Sequence, residues 1–281
     1  MTRDAWSDIV LRPALQELDA DDDPTAWELF HENSKTSRYQ RGLQPRAVVL
    51  RMQSMWESLP YDQYPEVELP QSRSPLELSL EEAILTRTSA RRLAPVQLTL
   101  EQVATMLHCS YGVTRDNQGT LFPRPFRAVP SAGALFPLEL YFHSVSVEGL
   151  SGGLYHYNPA RGNLRRLHEG DLRDEVASSL VQSEFAHDAS IVLLITALFE
   201  RSAFKYGERG YRFTLLEAGH VAQNMTLVAN GLGLGSVTIG GFYDRGLDDL
   251  LGLDGVTQST LYLVAIGGQL ESETAGGEGL G

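Results

Sequence analysis

The sequence predicts an α+β fold. A continuous apolar run of strand length, Ile191–Leu198, fits a strand that is covered on both faces. The longest helical signal spans residues 213–232, where apolar residues recur at spacings of three to five. Strand and helix signals follow each other from residue 76 to 268 without an internal repeat. We therefore predict that residues 76–268 form the folded domain.

Local signals place the other elements of this domain. Two capping boxes predict helix starts: Ser79 with Glu82, for a helix that runs toward Thr88, and Thr99 with Gln102. Strands are predicted at 138–147, 153–159, 237–242 and 260–266, and a short helix at 247–251.

The two flanks have a different character. Residues 1–75 are rich in Pro, Asp and Arg, and prolines at 60, 65, 70 and 75 exclude a long helix there. We predict an arm that wraps over another surface, with one helix at 24–34. Residues 269–281 are predicted to be a flexible acidic tail.

Composition excludes several classes of function. The net charge of −13 argues against nucleic acid and anionic membranes as partners. The single cysteine, Cys109, permits no intrachain disulfide, and no two histidines have metal-ligand spacing. No apolar run approaches the roughly 20 residues that span a bilayer, and the N-terminus has no signal-peptide pattern. We expect a soluble cytoplasmic protein without a bound metal, and His220 to be a core histidine of the long helix.

Lysine is scarce, with two lysines against 21 arginines. Lys205 is followed by Tyr206, and Gly207 and Gly210 let the backbone bend nearby. A titratable amine can take up a proton, which an arginine cannot. Lys205 and Tyr206 are therefore candidate catalytic residues. The alternative is structural, with Lys205 exposed or paired with a nearby glutamate, and Tyr206 simply packed.

Three further motifs are candidate binding segments. Arg87, Thr88, Ser89 and Arg91 offer guanidinium forks and hydroxyls suited to a phosphate, although two arginines at a solvated helix end are also common. Small residues at Pro130, Ser131, Ala132 and Gly133 would let a flat ligand lie against main-chain atoms, or form a tight turn. The segment Ile239, Gly240 and Gly241 could bring backbone N–H groups close to a ligand, or could form a bulge. The glycines at 231, 233 and 235 follow a predicted helix instead of opening one, which argues against a Rossmann site.

In combination, these motifs resemble those of the FMN-dependent nitroreductase superfamily, and more narrowly those of SagB-type azoline oxidases, which make thiazoles and oxazoles. The resemblance covers about residues 75–268. It implies that Arg87-Thr88-Ser89-Ala90-Arg91 holds the FMN phosphate and ribityl chain. It also implies that Pro130–Gly133 lies along the flavin ring and that the backbone at Ile239–Gly241 faces flavin N5. Lys205-Tyr206 matches a pair that azoline oxidases carry and ordinary nitroreductases lack.

The resemblance also implies a nitroreductase-like fold, in which a central mixed β-sheet is flanked by helices. It further implies a homodimer with FMN at the subunit interface, and a cyclodehydratase or assembly-line partner. The expected activity is oxidation of an azoline, on a peptide or carrier-bound substrate, to the azole. Hydride would pass to flavin N5, with Lys205 as base and Tyr206 orienting the substrate or sharing the proton. Two alternatives remain: an NAD(P)H-dependent nitro- or quinone reductase, and a non-catalytic flavin-binding scaffold subunit.

Overall fold

The computed structural model describes residues 25–39, 42–117, 119–120 and 124–270. The chain separates into two compact units, Met1–Arg38 and Tyr39–Gly281. In the first unit, helix α1 (Ala26–Asn33) begins at a capping box between Thr25 and Glu28, close to the predicted bounds. Residues 1–24 of the predicted arm and 271–281 of the predicted tail lie outside the described residues.

The second unit holds all the elements that shape the site. Its helices are α2 (Pro45–Gln53), α3 (Leu80–Thr86), α4 (Leu100–Tyr111), α5 (Arg173–Ser178), α6 (Glu184–His187), α7 (Glu200–Tyr206), α8 (Glu208–Gly231) and α9 (Asp244–Leu251). Its strands are β1 (Glu66–Glu68), β2 (Leu93–Ala94), β3 (Val113–Arg115), β4 (Phe126–Arg127), β5 (Leu138–Ser144), β6 (Gly153–Asn158), β7 (Asn163–Glu169), β8 (Ile191–Leu198), β9 (Gly235–Ile239) and β10 (Gln258–Gln269). None of the helices in the described ranges is long and apolar enough to cross a membrane.

The α+β fold predicted from the sequence is confirmed. The central sheet has the strand order β1-β7-β6-β5-β8-β10, and both β2 and β9 pair with β10. The ladders between these strands are antiparallel. Parallel pairing occurs at the isolated bridge between Leu98 and Val147, so the sheet is less mixed than the family resemblance implied.

Strand β8 shows why the sheet is covered on both faces. Leu193 and Ile195 point into a core built with α4 and α8. Val192 and Leu194 point into a second core built with α5, α6 and α9. Successive side chains of a strand alternate between faces, so a strand between two helical layers must be apolar throughout. This explains the continuous apolar run in the sequence.

The helix starts follow from local signals. Both predicted capping boxes form: Ser79 with Glu82 begins α3, and Thr99 with Gln102 begins α4. Helix α8 begins five residues earlier than predicted, because Gly207 adopts a φ of 56° and turns the chain from α7 into α8. The elements that were not predicted are helices α2, α5, α6 and α7 and strands β1, β2, β3, β4 and β7.

Helix α8 departs from the sequence prediction at His220 and carries a buried acid. Glu217 is buried at 2% exposure in the middle of the helix. His220 is exposed, and so is not a core histidine of the single chain. The apolar side chain of Leu216 is 60% exposed.

The stretch from residue 42 to 75 packs on the sheet rather than standing apart from it. Strand β1 pairs with β7, the Leu59 N–H donates to the Glu139 carboxylate over 3.0 Å, and the Tyr61 and Tyr141 hydroxyls are 2.8 Å apart.

Candidate functional site

A cavity of about 770 Å³ opens at the edge of the sheet where β5 begins and β8 ends. Its lining combines aromatic rings, small residues and cationic side chains: Arg115, Asn117, Thr120, Phe126, Arg127, Ala128, Val129, Pro130, Ser131, Gly133, Ala134, Phe136 and Lys205. Two of the motifs selected from the sequence, the small-residue segment and Lys205, therefore meet in one place. A pocket that is largely apolar, with a few convergent polar groups, is typical of a small-molecule site.

Lys205 and Tyr206 converge on Gly133. A Cβ atom added to Gly133 would lie 2.6 Å from Lys205 Nζ and 2.7 Å from Tyr206 Oη. Both side chains are half-buried. Gly133 has a φ of 66°, a conformation that side chains rarely adopt. The glycine thus lets both polar groups approach the backbone more closely than any other residue would allow.

The turn at Gly207 and the packing of Gly210 fix the position of this pair. A Cβ atom on Gly210 would lie 2.8 Å from the Ala203 nitrogen, so α7 and α8 approach more closely than a larger residue would allow. Lys205 and Tyr206 form the last turn of α7, directly before Gly207. The two glycines noted in the sequence are therefore the residues that aim the end of α7.

The segment that follows Pro130 is strained. Ala134 and Phe136 have φ values of 52° and 46°, and positive φ is a real outlier for a bulky residue. The Phe136 N–H donates to Ser131 Oγ over 2.9 Å, and Arg124 donates to the Leu135 carbonyl over 3.2 Å. Strain of this kind persists where neighbours over-determine the backbone, which is common at functional sites.

A buried charged cluster, which the sequence did not reveal, joins the strand and the helix next to the cavity. Glu139 on β5 accepts from Arg201 Nη1 at 2.6 Å, from His156 Nε2 at 2.7 Å and from the Ser58 hydroxyl at 2.8 Å. Burial alone would raise the pKa of this carboxyl, but Arg201 and the hydrogen bonds lower the pKa to about 2. Arg201 lies one turn before Lys205 on α7. The ion pair therefore anchors the helix that carries the candidate base.

A second buried acid, Glu217 on α8, was also missed. Its carboxyl accepts from the Tyr111 hydroxyl over 2.9 Å. Burial raises the pKa of Glu217 to about 7, although Ser131, Tyr111 and the charge of Arg127 act to lower it. An acid inside an otherwise apolar helix is the signal that would have drawn attention to it.

The glycine motif at the end of β9 lies on the same edge of the sheet as the cavity. In the sheet register, Leu263 of β10 pairs with Ile239 of β9 on one side and with Leu194 of β8 on the other. Gly240 and Gly241 are exposed and continue toward the edge where β8 ends. These residues do not line the described cavity wall.

The arginine motif lies toward the other end of β9. The Ala90 N–H donates to the Ser236 carbonyl over 2.9 Å, which fixes the loop between α3 and β2 beside the start of this strand. Thr88, Ser89 and Arg91 are exposed, and Arg87 is half-buried. Ser236 and Gly240 are four positions apart along the chain, which corresponds to about 13 Å of extended strand. In the single chain, these residues are not brought to the cavity that contains Lys205.

Comparison with known proteins identifies the family. The sequence profile of the nitroreductase family matches residues 84–268. The chain belongs to the nitroreductase family. The match covers the arginine motif, the glycine motif, the cavity, and all of the central sheet except β1. It supports a flavin-type oxidoreductase.

Three relatives share clear sequence similarity with this nitroreductase-family chain. A protein of Methanocaldococcus jannaschii that carries a nitroreductase name, MJ1384, is 37% identical over 73% of the chain and 98% of its own length. The microcin B17-processing protein McbC of Escherichia coli is 32% identical over 50% of the chain and 54% of its own length. The trifolitoxin-processing protein TfxB of Rhizobium leguminosarum is 30% identical over 50% of the chain and 39% of its own length. The chain thus spans about half or less of the two processing proteins.

Solved structures confirm the nitroreductase-like fold. A nitroreductase-like protein from Anabaena variabilis superposes with a TM-score of 0.69 at 22% identity, covering 89% of this chain and 49% of that one. The E. coli microcin synthetase McbBCD complex with truncated pro-MccB17 superposes with a TM-score of 0.54 at 23% identity, covering 87% of this chain and 92% of that one. At such identities the likeness shows the fold alone.

Members of the nitroreductase family bind FMN, and the residues present fit this cofactor. Guanidinium groups and hydroxyls at Arg87–Arg91 suit the phosphate. The cavity that Gly133 and Lys205 line has room for a flat ring next to polar groups. A separation of about 13 Å along β9 suits an elongated ligand with its phosphate at one end.

Proposed function

We propose that the chain is an FMN-dependent dehydrogenase that oxidises an azoline, carried on a peptide or carrier protein, to the azole. The observation that carries the proposal is the convergence of Lys205 Nζ and Tyr206 Oη on Gly133, in the wall of the cavity. A reductase that only passes electrons from a nicotinamide to an acceptor needs no such proton-accepting pair beside the reacting atoms. Oxidation of a C–H bond does need one.

The pair supplies the proton chemistry of this oxidation. An azoline becomes an azole by losing a proton from the carbon beside the carbonyl and a hydride from the ring. Bound FMN supplies the acceptor for the hydride. Lys205 Nζ would take the proton, and Tyr206 Oη would hold the substrate or share that proton. The aromatic rings of Phe126 and Phe136 in the cavity wall exclude water from the heterocycle.

Arg87, Thr88, Ser89 and Arg91 would bind the FMN phosphate and ribityl chain, and the backbone at Ile239, Gly240 and Gly241 would contact the reacting edge of the ring. Pro130, Ser131, Ala132 and Gly133 would lie along the ring face. In one chain these groups lie in different places. A homodimer would bring the cavity of one subunit against β9 of the other, as the family resemblance implies.

Exposed apolar side chains support such a homodimer. Leu80, Ile84 and Leu85 on α3 are 72%, 54% and 76% exposed, and Leu216 on α8 is 60% exposed. Helix α3 packs on α8, where Asn230 donates to the Ala83 carbonyl over 3.1 Å. Exposed apolar side chains grouped on one short helix are typical of an interface.

The relatives support a biosynthetic role. McbC and TfxB are named for processing microcin B17 and trifolitoxin, and the McbBCD complex was solved with a truncated pro-MccB17. We therefore propose a peptide-like or carrier-bound substrate and a cyclodehydratase or assembly-line partner. The nitroreductase name of MJ1384 favours the competing NAD(P)H-dependent reductase. A scaffold subunit without activity is the third outcome that the experiment below distinguishes.

Variants of Lys205 test the proposal. Lys205→Ala should keep FMN and the dimer while oxidation of a thiazoline-containing peptide falls by about 100-fold or more, the usual contribution of a general base. Lys205→Arg should fail equally, because it keeps the charge and loses the titratable amine. Glu200→Gln, an exposed change at the start of the same helix, is the matched control and should retain activity. Normal turnover by Lys205→Ala would show that the base is another group.

A further inference from the structure

Helix α2 shares a small core with the cavity wall and the end of α7. Val48 and Met52 lie four positions apart on one face of α2. Together with Leu135 they form this small core, in which each side chain is 4% exposed or less. Phe204 and Tyr206 of α7 pack against it. The small core therefore joins α2 to the helix that carries the candidate catalytic pair.

The ring of Tyr206 connects the small core to Lys205. The edge of this ring meets Phe213 of α8, with ring centroids 5.1 Å apart, and Lys205 Nζ lies 5.0 Å from the Tyr206 centroid. The position of the ring thus bears on both polar groups that converge on Gly133. A misplacement of about 1 Å at the reacting groups can cost about 100-fold in rate, so the support of this ring matters for chemistry at the wall.

Arg124 ties the end of α2 to the same wall. Its Nη2 donates to the Met52 carbonyl over 2.8 Å and to the Met55 carbonyl over 3.1 Å, while Nη1 donates to the Leu135 carbonyl over 3.2 Å. The side chain is 5% exposed. A planar guanidinium can bridge two segments in this way, whereas a lysine offers a single point of charge. Leu135 lies between the two strained residues of the cavity wall, so Arg124 holds this wall and the helix at a fixed spacing.

Helix α2 lies outside the part of the chain that matches the nitroreductase profile. That match begins at residue 84, whereas α2 spans Pro45–Gln53. An exposed pair, Arg51 with Glu200 at 3.1 Å, also joins α2 to α7, but a surface pair of this kind contributes little. The buried contacts through the small core and Arg124 therefore carry the connection.

We propose that α2 is a positioning element that keeps Lys205 and Tyr206 in place at the cavity wall. It acts through the small core, which supports the Tyr206 ring, and through Arg124, which holds the Leu135 carbonyl. Met52 and Arg124 are positioning residues, because each acts through a neighbour that is closer to the reacting atoms. Their effect on the oxidation of an azoline rests on the proposed function. Their effect on the position of the lysine does not.

The scarcity of lysine gives a direct readout of this position. The chain has two lysines, so acylation with an amine-reactive reagent, mapped by mass spectrometry, reports the rate at Lys205 relative to Lys35, which lies in the other compact unit. Met52→Ala truncates the small core and should raise this relative rate, because the end of α7 loosens around a half-buried amine. Met52→Leu nearly keeps the volume and should restore the wild-type rate.

Activity and a second variant extend the test. With a thiazoline-containing peptide, the kcat of Met52→Ala should fall by about 100-fold, since the reacting groups are displaced. Its KM should change less than kcat, and FMN should stay bound, because the binding surfaces remain. Arg124→Lys keeps the positive charge and loses the planar fork, so it should also raise the labelling rate and lower kcat.

Leu172→Ala is the matched control. This side chain is 6% exposed in the second core, and the Leu172 N–H donates to His143 over 3.0 Å, at the end of β5 away from the cavity. The variant should lower the Tm, yet leave the labelling of Lys205 and kcat unchanged. An unchanged labelling rate in both Met52→Ala and Arg124→Lys, faster labelling without a fall in kcat, or equal effects in Leu172→Ala would overturn the proposal.

The labelling readout also separates this inference from the proposed function, since it needs no substrate. Faster labelling of Lys205 in Met52→Ala, in a protein that ignores thiazolines, would refute the proposed function. It would leave the positioning of this lysine by α2 intact.

Discussion

The strongest stability prediction concerns Glu139, the buried carboxylate beneath the cavity. Glu139→Gln removes its charge and leaves the guanidinium of Arg201, 2.6 Å away and only 4% exposed, without a counter-charge. Burial raises the pKa of the carboxyl, but Arg201, His156 and Ser58 lower it to about 2, against an ordinary 4.5. At 1.36 kcal/mol per unit, the charged form contributes about 3 kcal/mol. Removal of one member of a buried pair typically costs about 3–5 kcal/mol.

The assay is urea unfolding at pH 7, followed by tryptophan fluorescence and circular dichroism. Glu139→Gln should lower the free energy of unfolding by about 3 kcal/mol or more, with an unchanged m-value. The matched control is Glu200→Gln, which breaks the surface pair with Arg51 at 3.1 Å, where both side chains are at least half exposed. Such a pair contributes about 0–1 kcal/mol.

The pH dependence follows from the lowered pKa of Glu139. A carboxyl whose pKa is lower in the folded state stabilises the protein above its unfolded pKa, and this stability is lost as the pH falls through the folded pKa. The gap between wild type and Glu139→Gln should therefore narrow between pH 4.5 and 2. A double variant with Arg201→Met should be less destabilised than the sum of the single variants, because the two groups are coupled. A loss below about 1 kcal/mol in Glu139→Gln, equal to that of the surface control, would refute this reasoning.

Two other variants test the site and the assembly. Gly133→Ala should abolish azoline oxidation, because its Cβ would lie 2.6 Å from Lys205 Nζ. The control is Gly162→Ala, which carries the same backbone strain at a similar φ of 68° but has open space around it, and which should keep activity. Leu85→Glu should shift the protein from dimer to monomer in analytical ultracentrifugation and release FMN, since the side chain is 76% exposed on the proposed interface. A dimer that persists in Leu85→Glu with FMN bound would place the interface elsewhere.

Local chemistry made part of the site predictable. The scarcity of lysine singled out Lys205, and the run of small residues singled out Gly133, because both signals lie within a few neighbouring residues. The capping boxes and the apolar strand β8 were predicted for the same reason. The structure adds that the end of α7 aims Lys205 at Gly133.

The buried networks could not be predicted in this way, since they form between distant segments. Glu139 meets Ser58 and Arg201 only after β5, the stretch before β1, and α7 have folded together. The local signals were weak but present: Glu139 is an acid within an apolar strand, and Glu217 an acid within an apolar helix. Because unpaired charges are rarely fully buried, each should have been expected to have a partner.

The central claim is that the flavin of this protein is reduced by an azoline. The most direct test is to mix the purified protein with a thiazoline-containing peptide in the absence of oxygen and to follow the flavin absorbance at about 450 nm. We predict that the band bleaches with this peptide, recovers in air with formation of the thiazole, and does not bleach in Lys205→Ala. A flavin band that ignores the peptide but bleaches with NADPH would contradict the claim and identify a reductase.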